Sequence, residues 1–315
     1  MSETIAAVVV TYNRKELLIN CLEAIRGQTY KPDAIFIIDN KSNDGTPELL
    51  LEKNYISRLP KNDIDENQLI LHHVSSLSLP NEDIQINYVR KYQNDGGAGG
   101  FYEGMKRAYE AGYDWIWMMD DDGIADKSQI MELIKAPSSY KYRNALVIDV
   151  NDKSRLSFGL KEYKKIKDIN ETNIIENEVN PFNGTFIHRQ IPEKIGFIKK
   201  EMFIWGDEAE FTKRAKSQNI RIGTILSALH YHPPNKGIYV NVIPLIKKYR
   251  LVVKPKALEH IYYRNNAFNI YHYESNLEII RYFILHLLYF TCRFNLIGLI
   301  RFIKYFQKGI MNNFK

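Results

Sequence analysis

Three consecutive carboxylates, Asp120, Asp121 and Asp122, follow directly on the apolar run WIWMM at 115–119. An acidic turn is the ordinary explanation of such a triplet. Its place at the end of a buried strand points instead to a site, because ligands of open α/β sheets bind beyond the carboxyl ends of the strands. Alternation sends Asp120 and Asp122 to one side and Asp121 to the other. Two carboxylates on one side can share a divalent cation, and hard oxygen donors suit Mg²⁺ or Mn²⁺. Such a cation bridges the two phosphates of a nucleoside diphosphate and stabilises it as a leaving group. His230 and His232 end another apolar run, and one imidazole can complete the ligand set. A surface or hydrogen-bonded histidine is the bland alternative for both.

A second acidic group, Asp207, Glu208 and Glu210, follows Trp205 at a helix start. Carboxylates stabilise helix N-termini anyway. The chemical reading is a general base that deprotonates an acceptor hydroxyl, with Trp205 stacking on a sugar face. The glycine-rich stretch at 94–101, NDGGAGGF, opens a helix. It lacks the Lys-Ser/Thr ending of a Walker loop and misses G-x-G-x-x-G spacing, which disfavours a hydride-transferring dinucleotide enzyme. Small residues such as Gly97 and Gly99 before a helix still permit close approach of an anionic ligand.

The elements that position these residues are legible as a pattern. Residues 5–11 and 34–39 are continuous apolar runs that read as buried strands, with an amphipathic helix at 16–25 between them. A loop at 40–46 leads into a helix near Pro47. Further strands are expected at 86–90, 115–119, 145–150, 182–187 and 220–229. Residues 54–85 and 151–178 read as polar excursions. The order strand–helix–strand predicts an α/β fold with a mostly parallel central sheet and right-handed crossovers. The expected organisation is a catalytic domain over 1–275, with a nucleotide-binding half (1–125) and an acceptor half (126–275), and a helical tail over 276–315.

A chain of 315 residues can bury such a core. Its net charge of +6 resides largely in the tail: no acid follows Glu278, while Arg281, Arg293, Arg301, Lys304, Lys308 and Lys315 do. No zinc-finger spacing or RNA-binding motif accompanies this charge, so no nucleic-acid partner is expected. The longest uncharged tail stretch, 282–292, is short of the roughly 20 residues a spanning helix needs. Basic residues among Phe, Leu, Ile and Tyr suit an interfacial amphipathic helix on a membrane surface. Packing on the core or in a homo-oligomer is the alternative. Two distant cysteines and no signal-peptide pattern give a cytoplasmic expectation, with peripheral association at the inner face of the membrane.

Taken together, VVVTYNR, IIDNKSNDGT, NDGGAGGF, the Asp triplet and WGDEAEF stand in the order seen in glycosyltransferase family 2, which this sequence resembles over about 5–235, with HIYYRN at 260–265 extending the likeness. The glycine loop and the WGDEAEF box resemble the bacterial branch of galactofuranosyl- and rhamnosyltransferases that build cell-surface polysaccharides. The resemblance implies a GT-A fold and an inverting, metal-dependent single displacement from a nucleotide-sugar donor, UDP-galactofuranose being favoured, to a glycan or lipid-linked acceptor. Rhamnose from a dTDP donor or another UDP-hexose is the nearer alternative. A non-catalytic glycan- or membrane-binding protein on the same fold is the distant one. By the same resemblance Thr11, Tyr12, Arg14, Asp39 and Asn40 line the nucleotide pocket. Asp120, Asp122 and His232 hold Mn²⁺ or Mg²⁺, and Asp121 faces the donor. The family's base is an Asp, the second of an acidic pair. Here that pair reads Asp207-Glu208, which leaves the base between the two, with Glu208 preferred. Arg264 is implied, more weakly, as a contact to the diphosphate or the acceptor.

Overall fold

The computed structural model describes residues 3–61, 67–75, 83–234 and 237–314. Four parallel strands form its centre: β1 (Ile5–Thr11), β2 (Ala34–Asp39), β4 (Asp83–Arg90) and β5 (Trp115–Asp120), in the spatial order β4-β2-β1-β5. Their apolar runs are continuous because both faces are covered. Ala7 and Val9 of β1 pack under α1 (Lys15–Arg26) with Leu18, Leu22 and Ile25. Val8 and Val10 face the opposite layer, where α3 (Gly96–Glu110) supplies Phe101 and Met105. The helix α2 (Thr46–Glu52) follows the loop after β2.

The sheet is mixed beyond β5. The strand β11 (Thr185–His188) runs antiparallel between β5 and β7 (Tyr142–Asp149), and β12 (Ile222–His232) lies parallel to β7. The expected excursion at 54–85 is in part a hairpin, because β3 (Gln68–Ser75) pairs antiparallel along the whole of β4. Its stretches 62–66 and 76–82 lie outside the described residues. The expected flap at 151–178 also folds into strands, β8 (Arg155–Leu160), β9 (Tyr163–Lys165) and β10 (Ile174–Glu176), around a small core of Leu156, Leu160, Tyr163 and Ile175. Charged and exposed residues obscured these strands, since each is short and buries only a few of its side chains.

Short elements complete the layers: β6 (Ile124–Ala125), α4 (Gln129–Lys135), α5 (Gln190–Ile195) and α6 (Asp207–Ser217). A hairpin of β13 (Ile238–Asn241) and β14 (Arg250–Val253) leads into α7 (Glu259–Tyr273), α8 (Asn276–Thr291) and α9 (Leu296–Ile310). Among the described residues no helix is long and apolar enough to cross a membrane. Cys21 and Cys292 are both free thiols.

Candidate active site

Strand register decides which side chains meet. Thr11 is level with Asp39 across β1 and β2, and Val10 is level with Asp120 across β1 and β5. The carboxyl ends of three strands therefore converge on one edge. There the triplet divides. Asp121 turns inward, where its carboxylate accepts from Thr11 Oγ1 at 2.7 Å and from Arg14 Nη1 at 3.2 Å. Asp120 and Asp122 stay together, and each offers a ligand atom within 4.8 Å of those of the other and of His232. Arg14 also reaches Asp122 at 2.9 Å, so one guanidinium spans both branches.

The short pairing of β6 with β12 brings His232 to the triplet, with Ala125 opposite His230 and Ile124 opposite Tyr231. His232 Nδ1 donates to the Pro233 carbonyl at 2.6 Å, which leaves Nε2 facing Asp122 Oδ1 at 3.0 Å. A carbonyl partner on one ring nitrogen fixes the other as the ligand. His230 does not join this group. It is fully buried, packs against Gly123 and Gly184, and approaches Gln129 with Nδ1.

The cluster carries more negative charge than its surroundings balance. Burial, then the charges of Asp122 and Asp121, push the Asp120 carboxyl up to about 8. Burial also opposes ionisation of Asp122, but the His232 bond and the Arg14 charge outweigh it and hold that carboxyl below the usual range. Apart from His232, Asp122 Oδ1 has no hydrogen-bond partner among the described residues. Two carboxylates and one imidazole, short of positive charge, are a donor set that fits Mn²⁺ or Mg²⁺.

The second acidic group opens α6. Three residues before or at its start, Phe203, Trp205 and Gly206, have positive φ, and α7 holds this turn. Asn265 Nδ2 donates to the carbonyls of Met202, Ile204 and Trp205, and Asn269 Nδ2 donates to Gly206. Asp207 is buried, whereas Glu208 is half-buried at the cleft wall. Burial first, then the Glu208 charge, pushes Asp207 well above the usual carboxylate range, and burial raises Glu208 as well. Glu210 is committed elsewhere, to Arg214 and the Tyr273 hydroxyl.

The glycine loop is tied to both groups. Asn40 Nδ2 donates to the Gly96 carbonyl at 3.0 Å, and Ala98 N donates to the Phe203 carbonyl at 3.0 Å. Among the glycines of this loop Gly97 lines the cleft, with open space where a Cβ would stand. Gly99 does not face a ligand. It is buried against Asp95, and its carbonyl accepts from Lys91. Asp39 is also fully buried, with its carboxylate taken by the Tyr88 hydroxyl, Arg90 and Ser42 N. Its local work is to hold Arg90 and the turn after β2. Tyr12 is exposed at the mouth of that turn.

One cleft of about 850 Å³ is lined by Arg14, Gly97, Asp120, Asp122, His232 and the start of α6 from Trp205 to Ala209. A second, of about 620 Å³, opens between the loop after β2 and the ends of β3 and β4, lined by Ser42, Arg90 and Lys91 among others. The profile of the family described as Glycosyl transferase family 2 matches residues 6–63 and 65–195. The chain belongs to glycosyl transferase family 2. This glycosyltransferase is 27% identical over 245 residues to "Galactofuranosyltransferase GlfT1" of Mycolicibacterium smegmatis, covering 74% of this chain and 72% of that one. Its fold is similar to that of S. aureus TarS 1-349, crystallised in complex with UDP-GlcNAc, at a TM-score of 0.53 and 14% identity over 98% of this chain and 81% of that one. Against the larger TarS chain the TM-score is 0.51 at 14% identity, over 93% of this chain, which spans 44% of that chain's length.

Some residues at the glycosyltransferase's site carry no signal in the sequence. Lys254 lines the cleft with its ammonium 4.4 Å from the centre of the Trp205 ring. It follows a short apolar strand in an otherwise basic segment and looks like any solvated lysine there. Asn265 closes the HIYYRN stretch without a role being evident from it, and Asn269 is one more polar residue on a helix; their burial and their bonds to the turn before α6 reveal both. Arg264, expected at the diphosphate or acceptor, is instead buried and donates to the carbonyls of Phe314, Glu201 and Met202.

Proposed function

We propose that this enzyme transfers galactofuranose from UDP-galactofuranose, with inversion, to a hydroxyl of a glycan or lipid-linked saccharide in cell-surface polysaccharide synthesis. One observation carries the reading: the Asp120–Asp122–His232 cluster and the Asp207–Glu208 pair line the same cleft. The curated relative named as a galactofuranosyltransferase supports the sugar. The TarS fragment in complex with UDP-GlcNAc supports a UDP donor.

Asp120, Asp122 and His232 would hold Mn²⁺ or Mg²⁺, which when bound neutralises the diphosphate of the donor. Arg14 adds a fixed positive charge beside them. Burial pushes the Asp121 carboxyl up to about 6, while Thr11 and Arg14 oppose that shift and orient the group at the floor of the nucleotide site. Gly97 leaves room for the donor, and Tyr12 with the loop at Asp39 and Asn40 bounds the nucleoside side. Glu208 is the base, since it faces the cleft half-exposed, whereas Asp207 is buried and burial disfavours its charged form more strongly. Glu208 takes the acceptor hydroxyl proton, the acceptor oxygen bonds to the anomeric carbon, and the bond from that carbon to the donor phosphate breaks with its electron pair leaving on UDP.

A panel of nucleotide sugars tests this directly. Mn²⁺-dependent release of UDP from UDP-galactofuranose is expected to exceed turnover of dTDP-rhamnose and other UDP-hexoses. Asp122→Ala is expected to remove transfer and to weaken metal-dependent UDP binding. Preference for dTDP-rhamnose would replace the sugar, and full activity of Asp122→Ala would remove the metal assignment. UDP binding without turnover of any donor would leave a binding protein on this fold.

A further inference from the structure

The helix α8 is apolar on two faces. Its inner face sets His286 and Phe290 against Phe302 of α9 and Tyr263 of α7. Its outer face carries Leu277, Ile280, Ile284 and Leu288 at spacings of three and four, and all four are exposed. This stripe continues into the corner between α8 and α9, where Phe294 is 96% exposed and Leu296 and Ile297 stand open beside it. An apolar notch of about 290 Å³ opens at the same corner, lined by Phe290, Phe294 and Leu299 among others.

The β13–β14 hairpin is fastened to that corner. Arg293, the residue before Phe294, donates to the carbonyls of Asn241 at 2.6 Å and Val242 at 2.7 Å. Three residues beyond Val242, Leu245 is 97% exposed, followed by exposed Ile246, Lys247 and Lys248. Two separate segments thus bring solvent-exposed apolar side chains to one edge, a concentration that marks an interaction surface. The charge around it is predominantly positive, the one acid on α8, Glu278, being paired with Arg281. Residues 237–258 contain Lys247, Lys248, Arg250, Lys254 and Lys256 and no acid, and no acid follows Glu278. A second copy would bring the same positive charge to this face, so self-association is disfavoured. Apolar side chains ringed by cations suit an anionic lipid surface.

We infer that the outer face of α8, the α8–α9 corner and the tip of the β13–β14 hairpin together form a docking surface for an anionic lipid bilayer. The surface is composite, not a property of the tail alone. It also has a path to the chemistry. The hairpin's returning strand ends at Val253, and the next residue, Lys254, lies against Trp205 in the cleft. A lipid-linked acceptor held in the bilayer would present its saccharide along this hairpin toward Glu208. That consequence rests on the proposed reaction, whereas the docking does not.

Flotation of the full chain with phosphatidylcholine vesicles, with and without phosphatidylglycerol, tests the surface. Binding is expected to be roughly tenfold stronger with the anionic lipid. The combined variant Leu245→Glu, Ile284→Glu and Phe294→Glu is expected to lose at least about tenfold in partitioning. Its thermal midpoint should stay unchanged, because all three side chains are exposed. Equal flotation of the variant and the parent overturns the inference. So does absence of vesicle binding with a dimer, seen by light scattering, that the variant breaks. Neither result involves sugar transfer. An inactive enzyme that floats leaves the docking standing, and an active one that does not float leaves the reaction standing.

Discussion

Burial pushes the Glu208 carboxyl above its ordinary range, and hydrogen bonds from the Glu208 and Gly206 backbone and from Asp207, then the charge of the Lys254 ammonium, pull it back part of the way. Burial in turn lowers Lys254, which the charge of Glu208 partly offsets. The other groups that face Glu208 are Asp207 on the same helix, Asp120 across the cleft and the Tyr142 hydroxyl. A base acts only when ionised, so activity is expected to be present above the raised pKa of Glu208 and to fall as pH drops through it. Replacing Lys254 by Met removes the charge that favours the carboxylate, and the acid limb of kcat/KM should move to higher pH. Lys254→Arg should restore it. Glu208→Gln should lower kcat by about 10²–10⁴-fold and flatten that limb. An unshifted limb in Lys254→Met would show that the lysine serves only as packing for Trp205. At this scale the sequence exposes the Asp120–Asp122 pair, because strand alternation is a strict period of two. It does not separate His230 from His232. That choice depends on the pairing of β6 and on Gly123, both set by tertiary contact. Lys254 is invisible for the same reason, since only folding brings it to Trp205.

At the scale of elements, the glycine loop separates packing from binding. Gly96 has a φ of +72° and stands where a Cβ would collide with the Phe203 carbonyl, which is backbone and cannot swing aside. Gly96→Ala should therefore destabilise the fold by about 1–3 kcal/mol, as overpacking with a disfavoured backbone conformation does. Gly97 has open space at the same point. Gly97→Ala should keep or slightly raise the thermal midpoint, because alanine favours a helix by up to about 1 kcal/mol over glycine. It should nonetheless raise the KM for the donor, since the added methyl occupies the cleft. A KM unchanged in Gly97→Ala would take the loop out of the donor site. The composition of this loop is visible in the sequence, but the division of labour among its glycines is not, because it depends on Phe203, a hundred residues away. The strands at 68–75 and 155–176 were hidden for a related reason. They lie toward the periphery of the sheet, where one face is wet and the apolar pattern is diluted by charge.

Across the whole molecule, the C-terminal helices bear on the active site through contacts that no local pattern announces. Basic charge and apolar content over 276–315 are plain in the sequence, and they suit an interfacial helix or packing on the core equally. The structure docks α9 onto α7, with Gly309 lying so close to Arg264 and Ala267 that a Cβ would not fit, and Phe302 fully buried in an aromatic cluster with Tyr263 and Phe290. Arg264 closes the contact by donating to the Phe314 carbonyl. The same α7 carries Asn265 and Asn269, which hold the turn that presents Asp207 and Glu208. Removing 276–315 would strip one side of α7 and loosen that turn. The truncated chain should show a lower thermal midpoint and a parallel loss of sugar transfer, even with an acceptor that needs no membrane. Phe302→Ala, which leaves every exposed residue in place, should cost about 3–5 kcal/mol of stability and reproduce part of both losses. A truncated chain that keeps its midpoint and its turnover in detergent would mean that α7 holds the turn at Gly206 unaided. A parallel loss would mean that membrane docking has to be dissected by substitutions on the outer face, since deletion removes the support of the active site together with the lipid surface.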